Sequence, residues 1–149
     1  MAAGKNSIFV GGVGRIKQTI EGVAQSAFKP GQLLARAVGD AADVTSKAAT
    51  TFGNEFLICD DQAATVGGST STPVTVGDTI KAINVNSGDL VLLSFANTQN
   101  VTTKGLAVAS NGDGDFKLAA TDGTEQVFAV TEEVINVTAA GTLVLCRAI

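Results

Sequence analysis

Histidine is absent from this chain of 149 residues. That removes every Ser-His-Asp or Cys-His catalytic unit and every imidazole metal ligand. Tryptophan and tyrosine are absent too, which leaves any base stacking to seven phenylalanines. Charged residues make up only 16% and the net charge is −4. A nucleic-acid binder needs clustered Lys and Arg on the phosphates, and ten in all, unclustered, do not supply them. The two cysteines, Cys59 and Cys146, form no Cys-x-x-Cys pair, so neither a zinc nor a redox motif exists. Each sits in an apolar stretch, Phe56–Cys59 or Leu143–Cys146, and reads as a small buried residue inside a strand. The N-terminal apolar run, Ile8 to Val13, is broken by glycines and too short for a signal core or a bilayer span. The expectations are a protein made in a cytoplasm, with no membrane or nucleic-acid partner, no cofactor and no enzymatic activity.

What is abundant is apolar surface and glycine. Hydrophobic residues reach 45% and mean hydropathy is +0.30. The length suits one domain with a core that needs no staples. The 17 glycines recur about every ten residues and often precede aspartate, as in Gly39-Asp40, Gly77-Asp78, Gly88-Asp89, Gly112-Asp113 and Gly114-Asp115. Glycine supplies positive φ, and Asp bonds its own backbone nearby. Between these turns lie apolar or alternating runs at 32–38, 55–59, 79–85, 90–95, 106–109, 116–119, 127–131 and 142–147, rich in β-branched residues. The run 90–95 is continuously apolar but for Ser94 and belongs in a central strand. The expected fold is mainly β, a compact antiparallel β-barrel or sandwich (residues 15–149) with a flexible N-terminal arm (residues 1–14). Residues 15–28 stay open between helix and strand, because Ile16, Ile20, Val23 and Ala27 have helical spacing. Residues 41–51 read as a loop or one helical turn, and residues 62–72 as a loop.

Few constellations carry chemistry. Gly11-Gly12-Val13-Gly14 lacks the third glycine of a phosphate loop, because Lys17 occupies its place. Asn111, Asp113 and Asp115 offer three oxygen side chains at calcium-like alternate positions. A hairpin turn explains them without an ion, and no metal is expected. Asp60-Asp61 and Glu132-Glu133 are adjacent pairs that a strand points to opposite faces, and they read as solvated surface. The doubled Gly-Asp-x-apolar pattern at 77–80 and 88–91 is similar to lipoyl and biotinyl carriers, but no lysine sits at a hairpin tip. Lys29-Pro30-Gly31-Gln32 has Pro and Gly where a type II turn wants them.

The order of these turns resembles the small head decoration (cement) proteins of tailed bacteriophages. The resemblance is carried by Ile20-Glu21-Gly22-Val23, Lys29-Pro30-Gly31-Gln32-Leu33-Leu34, the paired Val76-Gly77-Asp78 and Ser87-Gly88-Asp89 turns, Lys104-Gly105-Leu106 and Asn111-Gly112-Asp113-Gly114. It covers most of residues 20–149. Ser87 stands where that family has proline, and residues 62–72 lack its aromatic and charged residues.

The resemblance implies a virion protein, synthesised in the host bacterial cytoplasm, that binds the major capsid protein on the outer surface of an icosahedral shell, as a homotrimer, and stabilises it. It also favours strand over helix at 15–21. The N-terminal arm becomes the candidate for capsid contact, with Ile8, Phe9 and Val10 as its apolar anchors. The alternatives are a minor tail, fibre or host-glycan-binding β-domain, and a small carrier-like β-barrel.

Overall fold

The computed structural model describes residues 5, 7–12, 16–36, 43–46, 55–61, 69–121 and 123–149. The Gly39-Asp40 turn, Val13-Gly14, residues 47–51 and most of the 62–72 loop lie outside these residues. The described strands are β1 (Phe9–Gly11), β2 (Thr19–Ala24), β3 (Leu33–Arg36), β4 (Asp43–Ser46), β5 (Leu57–Cys59), β6 (Thr79–Asn84) and β7 (Leu90–Phe95). They continue with β8 (Gln99–Val101), β9 (Ala107–Ser110), β10 (Phe116–Leu118), β11 (Ala129–Thr131), β12 (Ile135–Val137) and β13 (Thr142–Ala148). No helix occurs among the described residues.

Strands β2-β4-β3-β5-β6 close into a five-stranded barrel. Closure leaves no unpaired edge, which solves the edge problem within a short stretch of chain. A second, six-stranded sheet runs β1-β7-β10-β9-β11-β13 and curls until β13 also pairs with β7. The β7–β13 ladder spans six residue pairs, Thr142–Phe95 to Arg147–Leu90, whereas β7 meets β10 only at Phe95–Phe116. Strands β8 and β12 form a separate two-stranded ribbon. Pairing is antiparallel except for β2–β4 and β7–β10.

The alternation of side chains explains why β3 and β5 read as apolar runs and why β6 buries Ile80, Ala82 and Ile83. One face of each fills the barrel: Leu34, Leu57, Cys59, Ile80 and Ala82 pack there with Ala24, Phe28 and Val74. The opposite face packs outward on the curled sheet, where Leu33, Ile58 and Ile83 join Val91, Leu93, Phe95, Phe116 and Val144. A strand buried on both faces carries apolar residues at every position, as a central strand does. Phe56, Phe116 and Phe128 meet at this junction edge-on or tilted, with ring centroids 5.2–6.2 Å apart, a favoured aromatic geometry.

The Lys29–Gln32 turn stitches the two units together. Gln32 N donates to Lys29 O at 3.2 Å and Gly31 has φ +85°, as a type II turn requires. Gly31 N donates to Cys59 O in the barrel, and Gly31 O accepts from Ser94 N in the sheet, both at 2.9 Å. Leu33 N reaches Gly114 O at 2.8 Å.

The stretch left open between helix and strand at 15–28 is strand over Thr19–Ala24, paired with β6 along five residues. Ile16, which starts the apparent helical stripe, is 90% exposed, so the periodicity has no buried face behind it. Within the expected arm, Ile8 is fully buried and Phe9–Gly11 forms β1 on the edge of β7. An apolar stretch beside an open strand edge lowers its free energy by pairing and burial together. The segment 43–46, read as loop or helical turn, is β4.

Candidate partner-binding surface

The three proposed anchors, at and just before β1, differ in burial. Ile8 points into the core, Phe9 is half-buried and packs against it, and Val10 is 51% exposed. Leu92 N donates to Ile8 O at 2.8 Å. Upstream, the Lys5 ammonium pairs with Glu133 Oε1 at 2.5 Å and also donates to Leu143 O. Thr70 Oγ1 donates to Lys5 O at 2.8 Å. Only Val10 of the three offers its side chain fully to a partner. Truncating Ile8 to alanine should therefore cost about 2–4 kcal/mol of stability through the void it leaves, while Val10→Ser should stay within about 0.5 kcal/mol. Urea denaturation of both variants reads the difference, and equal costs would mean that Ile8 is not packed in the core.

Other exposed apolar side chains are Ile16, Val76, Val134 and Ile149. Ile16 and Ile149 lie at the same end as Val10. Gly11 is opposite Leu90 and Leu90 opposite Arg147. Asn84 bonds Gln18 through the backbone and shares a cleft with Ile149. The exposed apolar side chains make this end of the molecule a candidate footing for a partner.

The 111–115 segment is the turn between β9 and β10, fixed by the Phe116–Ser110 pair. Its side chains serve that turn. Asn111 Nδ2 donates to Asp113 Oδ2, and Asp113 Oδ1 accepts from Asp115 N, each at 3.1 Å. Asp115 turns inward, and its Oδ1 accepts from Ser94 Oγ at 2.7 Å and from Gln32 Nε2 at 2.8 Å. Among the described residues no group of three or more His, Cys, Asp or Glu side chains could hold a metal ion.

Of the acidic pairs, Glu132 and Glu133 do diverge: Glu132 meets Arg147 Nε at 2.7 Å, and Glu133 takes Lys5 and the Leu145 amide. Asp60 is a correction, because it is not solvated surface but only 3% exposed. Burial pushes its carboxyl up, against the opposing pull of Lys17, whose Nζ lies 2.7 Å from Oδ2. Between the ordinary Asp value of 3.8 and that raised value, the folded state holds more proton than the unfolded chain. Rising pH through this window thus lowers stability. Asp60→Asn should flatten that part of the pH–stability curve relative to the parent protein, as thermal melts from pH 3.5 to 6 would read. Parallel curves would mean that Asp60 does not titrate differently on folding.

Both cysteines are buried and unpaired with each other. Burial raises the Cys146 thiol far above the ordinary range, so little reactive thiolate forms there. The Lys17–Asp60 and Gln32–Asp115–Ser94 contacts join residues 21 to 83 positions apart, and no local motif marks them.

No protein-family model matches the sequence, and no curated protein matches it. In structure, the chain is similar to the N base of the head fiber protein gp8.5 of bacteriophage phi29. The TM-score is 0.60 and the identity 17%, over 90% of this chain and 95% of that one. The shared property is the fold.

Proposed function

We propose that this chain is a structural protein of a tailed-phage virion that grips the outer surface of the icosahedral head as a homotrimer and stabilises the shell. The observation that carries the reading is the whole-length likeness of fold to the base domain of a phage head fiber. The turn pattern shared with head decoration proteins points to the same kind of particle from the sequence side. The chain's physical character suits the role. A rigid double core supplies a fixed platform, and the apolar end around Val10, Ile16 and Ile149 supplies footing. A ligand that binds only the assembled shell stabilises that state by mass action. Three footings on one trimer act at high effective concentration, so weak single contacts add to a firm hold.

A second reading follows from the same likeness: the chain is the base of a fibre present in fewer copies on the head. Stoichiometry separates the two. Purified particles are run on a denaturing gel with a dye stain, since a chain without Trp or Tyr scarcely absorbs at 280 nm. A 15.0 kDa band close to equimolar with the major capsid protein is the expected result for decoration. A band roughly an order of magnitude weaker assigns the fibre base, and no band overturns the virion reading.

A further inference from the structure

We infer that the cleft between the Lys29 turn and the 111–115 turn is a seat for one basic side chain, arginine or lysine, presented by a partner protein. The cleft measures about 280 Å³. Phe28, Pro73 and Val74 line it beside the carboxylates of Asp113 and Asp115. An apolar wall ending in carboxylate suits an amphipathic cation, whose methylene stem lies along the wall while its head meets the charge.

Asp115 is the decisive residue. It is only 7% exposed, yet its hydrogen bonding is lopsided. Both inward donors, Gln32 Nε2 and Ser94 Oγ, go to Oδ1. No donor among the described residues meets Oδ2. A carboxylate accepts on both oxygens, and a buried one gains most from filling each. Asp113 adds a second negative charge, while its oxygens hold the turn. The opposing cation, Lys29, lines the same cleft but forms no ion pair among the described residues. Its Nζ stands near Gly141, 3.8 Å from where a β-carbon there would sit. Two carboxylates and one ammonium leave the cleft with one negative charge to match. A divalent ion would want six or more oxygens, more than two carboxylates supply. The inference goes beyond the virion reading and does not depend on it.

The test is a titration of the whole 15N-labelled chain with N-acetyl-L-argininamide at low salt, followed by amide and side-chain NH2 shifts. Expected are saturable shifts at the Gln32 side-chain amide and at the Gly114 and Asp115 backbone amides. The neutral isostere N-acetyl-L-citrullinamide should leave them unmoved. Asp113→Asn keeps an acceptor for the turn and should weaken binding by about fivefold, while Lys29→Ala should tighten it by about as much, the scale of one partly exposed charge contact. Equal shifts from the citrulline compound, or shifts spread over all surface acids, overturn the proposal. So do the same local shifts from calcium chloride at lower concentration, which would make the cleft a metal site. A change of oligomeric state in Asp113→Asn also overturns it, by assigning the cleft to self-assembly.

Discussion

Gly31→Ala should lower the melting temperature by roughly 8–15 °C, corresponding to a loss of about 4 kcal/mol in a chain of this size. Two costs combine. The φ of +85° strains any residue with a β-carbon by about 1–2 kcal/mol. That β-carbon would also lie 2.7 Å from Leu143 Cδ2, 3.0 Å from Ser94 N and 3.1 Å from Leu92 O. The leucine tip can rotate away, but the other two atoms are backbone of β7 and cannot yield without disturbing its pairing. Overpacking of this kind costs about 1–3 kcal/mol. Gly77→Ala is the control: its φ is +92° and nothing stands within 4 Å of the new carbon. It should lose only the conformational part. Melts followed by far-ultraviolet circular dichroism compare the two, and equal losses would show that close packing at Gly31 contributes nothing.

Phe116→Ala should cost about 3–5 kcal/mol, the range for removing a buried aromatic ring, and the loss should be felt in both units. Phe116 is fully buried and contacts the rings of Phe56, which precedes β5 of the barrel, and Phe128, which precedes β11 of the sheet. Its backbone makes the one pair that joins β10 to β7. Because one core spans the junction, barrel and sheet should unfold together. Hydrogen exchange tests this at Ile58 and Ile83 in the barrel and at Val91 and Val144 in the sheet. All four amides should lose protection by the same factor. Unchanged protection at Ile58 and Ile83 would mean that the barrel is a separate folding unit.

Much of this architecture is legible in the residues. The glycine–aspartate turns precede β6 and β7 and join β9 to β10, and the run 90–95, apolar but for Ser94, does lie in a strand paired on both sides. The turn at Lys29–Gln32 follows from proline and glycine alone. What escapes local reading has specific causes. β8 is Gln99-Asn100-Val101 and β12 is Ile135-Asn136-Val137, and three residues are too few to show a period. β2 mimics helical spacing because Ile16 contributes a point to the pattern without being buried. Asp60 looks like surface because its partner, Lys17, lies 43 residues earlier. The free edge that draws in Ile8 belongs to β7, more than eighty residues downstream. The candidate cleft is assembled from four separate stretches of chain, so its residues carry no shared motif.

The two-faced strands also set an order of events during synthesis. All five barrel strands are complete once residue 84 has left the ribosome. The barrel's outer face, with Leu33, Ile58 and Ile83, then waits for the strands that cover it. Its cover is finished only by β13, which pairs along the whole of β7. At ~5–20 residues per second that wait lasts on the order of several seconds. For that interval the nascent chain carries an apolar flank with no mate, and β1 has no ladder to join until β7 emerges. A holding chaperone should therefore find its strongest grip on chains stalled between residues 84 and 142, and lose it when the last strand closes.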